Sequence, residues 1–228
     1  MQSFILLSTL FLFSCENVND KNVATLNARA QKEKHLWTEI HKQKLLIKNG
    51  DLITRAGTDA ISASLRNFNK KDKSYSHSGI ALLENGEVFV YHTLAGEENP
   101  TDKMIREPFD SFCNPHNKLG VGFFRYDISD NEIKAFDSSF KTYYKQELKF
   151  DKVFDLKDDS TMYCAEIIYK CLKRITSGRV ILPTTKAQNV VIKNPAFRNK
   201  RYKEIEYVAV DNLYLNPFCR EIARISYE

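Results

Sequence analysis

Little in this chain suggests a membrane-spanning or nucleic-acid-binding protein. The apolar stretch Phe4 to Phe13 covers ten residues, short of the roughly 20 that a transmembrane helix needs. Basic residues exceed acidic ones mildly, for a net charge of +5, and the two are interleaved rather than gathered in blocks. The late group Arg198, Lys200, Arg201 and Lys203 is expected as a solvated loop, and no nucleic-acid partner is expected. Internal repeats and low-complexity tracts are missing too. What is there, 43% apolar residues with 12% aromatic over 228 positions, is the composition of a globular chain long enough to bury a substantial core.

The ten-residue stretch suits the apolar region of a secretion signal, although no Lys or Arg precedes it. Leu12-Phe13-Ser14-Cys15 then looks like a bacterial lipobox, in which Cys15 is lipidated and becomes the mature N-terminus. Ordinary cleavage and a misassigned start codon are the alternatives. The expected organisation is a signal peptide over 1–14, a polar tether over 15–25, and a single domain with an N-terminal helix over 26–228. The expected location is the periplasmic or envelope side of a membrane, held there by the lipid anchor.

Export would place Cys113, Cys164, Cys171 and Cys219 in an oxidising compartment. Cys164 and Cys171 are seven residues apart on one expected helix, so about 10 Å separates them along its axis, too far for a disulfide. A Cys113–Cys219 bridge is left open.

Cys164 opens the amphipathic stretch Met162-Tyr163-Cys164-Ala165-Glu166-Ile167-Ile168-Tyr169, after the turn-prone Asp158-Asp159-Ser160-Thr161. A thiol in the first turn of a helix meets unpaired backbone N–H groups and the positive end of the helix dipole. Both favour thiolate, the nucleophilic form, and the same N–H groups suit the oxyanion of a tetrahedral intermediate. The expected base lies upstream. Ser76 to His92 has the pattern of two strands joined at Asn85-Gly86, a strong hairpin signal. A two-residue turn there sets Glu84 opposite Glu87 and puts His77 and His92 on one face as diagonal neighbours, about 7–8 Å apart at the backbone. Gly79, opposite His92, leaves room for the two rings to meet. His77 is assigned as base and His92 as the group that orients it. A bulge would separate them. A metal site from Cys164, His77 and His92 is a minor alternative, since no fourth ligand is evident.

These motifs resemble the permuted papain-like cysteine hydrolases of the NlpC/P60 superfamily, in its YiiX/YebB-like branch. The residues that carry the resemblance are Gly50-Asp51-Leu52-Ile53, Ser76-His77-Ser78-Gly79-Ile80 and Tyr163-Cys164-Ala165-Glu166-Ile167. The order, His before Cys, matches the permuted branch. The resemblance implies an α+β, circularly permuted papain-like fold, with an antiparallel sheet or small barrel packed against helices. It also implies a nucleophile at Cys164, a base at His77 and a third polar group at His92, a position often acidic in YiiX-like relatives. Tyr163 is either an oxyanion donor or a packed aromatic. Neither metal nor organic cofactor is implied.

The elements expected around these motifs are helices over Leu26 to Lys48, Asp59 to Phe68, Glu107 to Cys113, Ser129 to Gln146 and Cys164 to Arg174. Strands are expected at Asp51 to Thr54, Val121 to Tyr126 and Tyr207 to Val210, and either kind of element at Phe218 to Ile225. The expected activity is that of an amidase or peptidase cleaving a small peptide, a cell-wall peptide or an acylated amine. Alternatives are a lipid acyl hydrolase or acyltransferase, and a non-catalytic anchored binding protein.

Overall fold

A computed structural model describes residues 18–96, 99–192 and 199–228. The expected signal peptide and lipidated Cys15 lie outside the described residues. Residues 1–35 and 36–228 form separate compact units. The first is described only from Val18, as the opening turns of helix α1 (Val18–Lys44), which begins inside the segment expected as a tether. Among the described residues no helix is long and apolar enough to cross a membrane.

The second unit is built on one antiparallel sheet. Its strands are β1 (Leu52–Gly57), β2 (His77–Glu84), β3 (Glu87–His92), β4 (Ile105–Pro108), β5 (Lys118–Tyr126) and, last in the chain, β8 (Cys219–Ser226). They lie in the order β4-β3-β2-β1-β5-β8, open at both edges rather than closed into a barrel. A separate hairpin pairs β6 (Thr185–Val191) with β7 (Arg201–Tyr207).

Alternation along the strands divides the core in two. Leu52, Ile80, Leu82 and Phe124 face one side, where α4 (Asp130–Lys145) and α5 (Cys164–Ile175) cover them with Phe136, Phe140, Ile167, Ile168 and Leu172. Ile53, Ala81, Val90 and Phe123 face the other, against Leu36 and Ile40 of α1 and Phe109 and Phe112 of the short helix α3 (Phe109–Phe112). The helix starts follow from local chemistry. Ser129 and Glu132 close a capping box on α4, and Asp59 caps α2 (Ala60–Arg66) by accepting the Ser62 N–H.

The hairpin forms as expected. Asn85 and Gly86 both take positive φ, 51° and 87°, as the tightest turn requires, and Glu84 pairs with Glu87, with no register shift up to Ile80–Tyr91. Gly50-Asp51 serves the fold. Gly50 turns the chain at φ 83°, and the buried Asp51 carboxylate accepts the Lys48 N–H at 2.7 Å and a two-pronged Arg125 contact at 2.6 Å.

Two expectations are corrected, and one strand is new. Glu107 was expected in a helix but lies on β4, because Ile105 to Pro108 completes the exposed edge of β3 before Pro108, unable to donate, ends the pairing and starts α3. The late strand ends at Tyr207 instead of starting there. Val210, expected at its end, instead opens a turn of 3-10 helix over Val210–Leu213. Strand β6, mostly exposed along its length, escaped notice because only one of its faces packs.

Candidate active site

The sheet brings the two histidines together. His77 Nε2 lies 2.9 Å from His92 Nδ1, the rings nearly perpendicular with centroids 4.9 Å apart. Gly79 makes this approach feasible, since a Cβ there would stand 2.5 Å from Val90 Cγ1 and 3.1 Å from His92 Cβ. The chain of contacts continues: His92 Nε2 lies 3.1 Å from Glu107 Oε2, and Arg55 donates to the same oxygen at 3.1 Å. The Arg55 guanidinium also stacks on the Phe112 ring, 4.3 Å from its centroid. Arg55, His77, His92 and Glu107 sit on β1, β2, β3 and β4, a row across four adjacent strands.

Burial sets the charge states. Both imidazoles are almost wholly enclosed, His77 at 7% exposure and His92 at 1%. Burial holds the His77 pKa well below its ordinary value, and the neighbouring His92, Arg55 and Lys118 push it the same way. His92 is also lowered by burial, against the opposing pull of Glu107. Glu107 itself is lowered: burial would raise it, but the His92 bond and the Arg55 charge outweigh that. At neutral pH the row holds two neutral imidazoles between a carboxylate and a guanidinium.

Cys164 opens α5, as expected. It borders the same cavity as His77, a space of about 720 Å³ walled by Leu65, Phe68, Phe150, Phe154, Tyr207 and Val210 among others. Its sulfur lies against Ser78, the residue after His77, whose fully buried hydroxyl makes no hydrogen bond of good geometry. Among the described residues no hydrogen bond joins the thiol to either imidazole. The thiolate expected from the helix start is not the resting form. Burial raises the thiol pKa, and the Ser78 hydroxyl and amide and the N–H groups of Ala165 and Cys164 only partly oppose it. The helix N–H groups act in the expected direction, but desolvation is the larger effect.

Tyr163 walls the cavity, its ring 4.9 Å from that of Phe154, and its hydroxyl accepts the Val208 N–H at 2.7 Å. That anchors it as a packed aromatic. Behind it, Glu166 is fully buried, accepts the Tyr163 N–H at 3.2 Å and lies 2.8 Å from Lys170 Nζ. Cys113, Cys164, Cys171 and Cys219 are all free thiols.

Sequence reasoning missed Glu107, Arg55 and Ser78. Arg55 carried a usable signal, standing on the His77 face of a strand next to the hairpin. Glu107 carried none, because its four-residue strand shows no periodicity. Among the described residues no group of three or more His, Cys, Asp or Glu side chains is placed to hold a metal ion. Of the Cys164, His77 and His92 weighed as ligands, His92 has both ring nitrogens engaged, by His77 and by Glu107, so these residues do not fit a metal centre.

The sequence matches no family model and no curated protein. In fold it is similar to a crystal structure described as the metalloprotein YiiX of Escherichia coli O157:H7, DUF1105, with a TM-score of 0.61 and 16% identity over 78% of this chain and 98% of that one. At that identity the likeness establishes a YiiX-like α+β architecture, an antiparallel sheet packed against helices.

Proposed function

We propose that this protein is a cysteine-dependent hydrolase of the permuted papain-like NlpC/P60 type, cleaving an amide bond through an acyl-enzyme on Cys164. The observation that carries this is the placement of a helix-start thiol and a polar-chain imidazole on one cavity. His77 takes the thiol proton as sulfur adds to the carbonyl carbon. The oxyanion is held by the N–H groups at the start of α5. Collapse breaks the C–N bond as the His77 imidazolium protonates the departing amine, and water then cleaves the thioester with His77 again as base. Because thiol and imidazole both start neutral, the proton moves during attack rather than before it.

The cavity's largely apolar wall favours a second reading on the same machinery, in which the acyl group comes from a lipid ester and is hydrolysed or transferred. In either case the protein acts at the envelope side of a bacterial membrane, anchored through Cys15.

Incubation with p-nitrophenyl butyrate and with a small N-acyl amide, followed by intact-mass spectrometry, should trap one acyl group. Cys164→Ala should lose both the adduct and turnover. Turnover persisting in Cys164→Ala, or an adduct on another residue, removes the assignment.

A further inference from the structure

We infer that Glu107 is a positioning residue which, acting through His92, fixes the tautomers of both imidazoles so that His77 offers Nδ1 as its basic nitrogen. This rests on the assignment of His77 as base proposed above. The argument is a count of protons along the row. A carboxylate oxygen only accepts, so the 3.1 Å contact requires the hydrogen of His92 on Nε2. A neutral imidazole carries one N–H, which leaves His92 Nδ1 with a lone pair. Across the 2.9 Å contact, His77 must then donate from Nε2, and its own lone pair falls on Nδ1.

Without the carboxylate the opposite arrangement satisfies the His77–His92 contact equally well. His92 would donate from Nδ1, His77 would accept at Nε2, and the hydrogen would sit on His77 Nδ1, where it blocks proton uptake. In the Ser-His-Asp arrangement a carboxylate holds its imidazole directly. Here the same selection is passed through a second ring. When His77 takes the thiol proton at Nδ1, its Nε2–H bond to His92 is retained, so the new cation stays hydrogen-bonded.

The groups that face this row are known from every side. Arg55 on β1 lies 3.1 Å from Glu107 Oε2 and keeps the carboxylate ionised. Lys118 on β5 adds positive charge. The Cys113 thiol after α3 is buried and protonated, raised far above its ordinary value by desolvation. The hydrogen bond at His92 Nε2 is the one to Glu107 Oε2, at 3.1 Å, so the selection falls to Glu107.

The test is imidazole ¹⁵N NMR on the full chain at pH 7.5, with hydrolysis of p-nitrophenyl butyrate measured in parallel. The wild-type spectrum should show His77 and His92 both as Nε2–H tautomers. Glu107→Gln can offer either an oxygen or an NH₂ group, so both tautomers should become populated and hydrolysis should fall by about 10- to 100-fold, less than the loss of a general base. A wild-type His92 carrying its hydrogen on Nδ1 overturns the inference, and needs no variant to fold. So does a folded Glu107→Gln with unchanged tautomers. Because the NMR readout is independent of turnover, inactivity toward every substrate would count against the proposed hydrolase and leave the tautomer result to decide this point.

Discussion

Two polar networks flank the start of α5, and they are built in opposite ways. The first, Arg55–His77–His92–Glu107, draws one residue from each of four adjacent strands, and its guanidinium and carboxylate pair directly at 3.1 Å beside two uncharged rings. The second is local. Glu166 and Lys170 stand one turn apart on α5, and Lys170 lies 2.8 Å from Glu166 and 2.6 Å from the exposed Asp159 in the segment before the helix. Despite that lysine, burial raises the Glu166 pKa to about 8. A row assembled by sheet register holds its acid ionised, whereas one assembled by helix periodicity leaves its acid largely protonated at neutral pH. The difference lies in what else each carboxylate receives: Glu107 has a buried guanidinium at 3.1 Å and an imidazole donor. Glu166 shares its lysine with Asp159.

The contrast is sharpest for chemistry. His77→Ala should lower acyl-ester turnover by about 10²- to 10⁴-fold, the usual contribution of a general base, while Glu166→Gln should leave it within a few-fold. Equal losses in the two variants would erase the distinction between a catalytic row and a structural one.

Stability against pH should separate them next. Glu166 has a folded pKa raised from 4.5 to about 8. Its stabilising contribution is fully present below pH 4.5 and is lost as pH rises toward 8, with a slope of about 1.4 kcal/mol per pH unit. Glu166→Gln removes that loss. Urea denaturation should show the variant gaining on wild type steadily between pH 5 and 8, by a few kcal/mol in all. A constant difference across that range would mean that Glu166 is ionised in the native protein.

Gly79→Ala probes the packing that the row depends on. The new methyl would meet Val90 Cγ1 at 2.5 Å, so β3 must shift, at a cost of about 1–3 kcal/mol and a weakened His77–His92 contact. An unchanged midpoint in urea would show that the strands absorb the group.

The smallest effect has the opposite sign to that of Glu166. His92 has a folded pKa below its ordinary 6.5, so its contribution is present above pH 6.5 and lost as pH falls toward the folded value. His92→Gln should flatten acid destabilisation by about 1.4 kcal/mol per pH unit below 6.5. Identical slopes for variant and wild type would put a proton on His92 in the folded state.

How much of this was visible beforehand depended on how local each signal was. Asn85-Gly86 fixes a turn, the turn fixes the register, and the register brings His77 to His92. That inference used only neighbouring residues, and it holds in the structure. The α5 start at Cys164 was equally local. Glu107 reaches His92 only through a strand too short to show alternation, and was expected in a helix. The thiol's raised pKa was hidden for another reason: the N–H groups that lower it belong to its own helix, while the burial that raises it comes from the whole fold. The hairpin β6–β7 was missed in part because its exposed faces give no apolar pattern.

The position of β4 has one more consequence. Glu107 rides on the outermost strand of the sheet, four residues long and paired on a single side. Edge segments of this kind open locally at far lower free energy than the strands inside them. Each fraying event would carry off the acceptor that sets the ring hydrogens while leaving β1 to β3 intact, so the fraction of molecules competent at any instant is governed by how firmly that margin stays zipped.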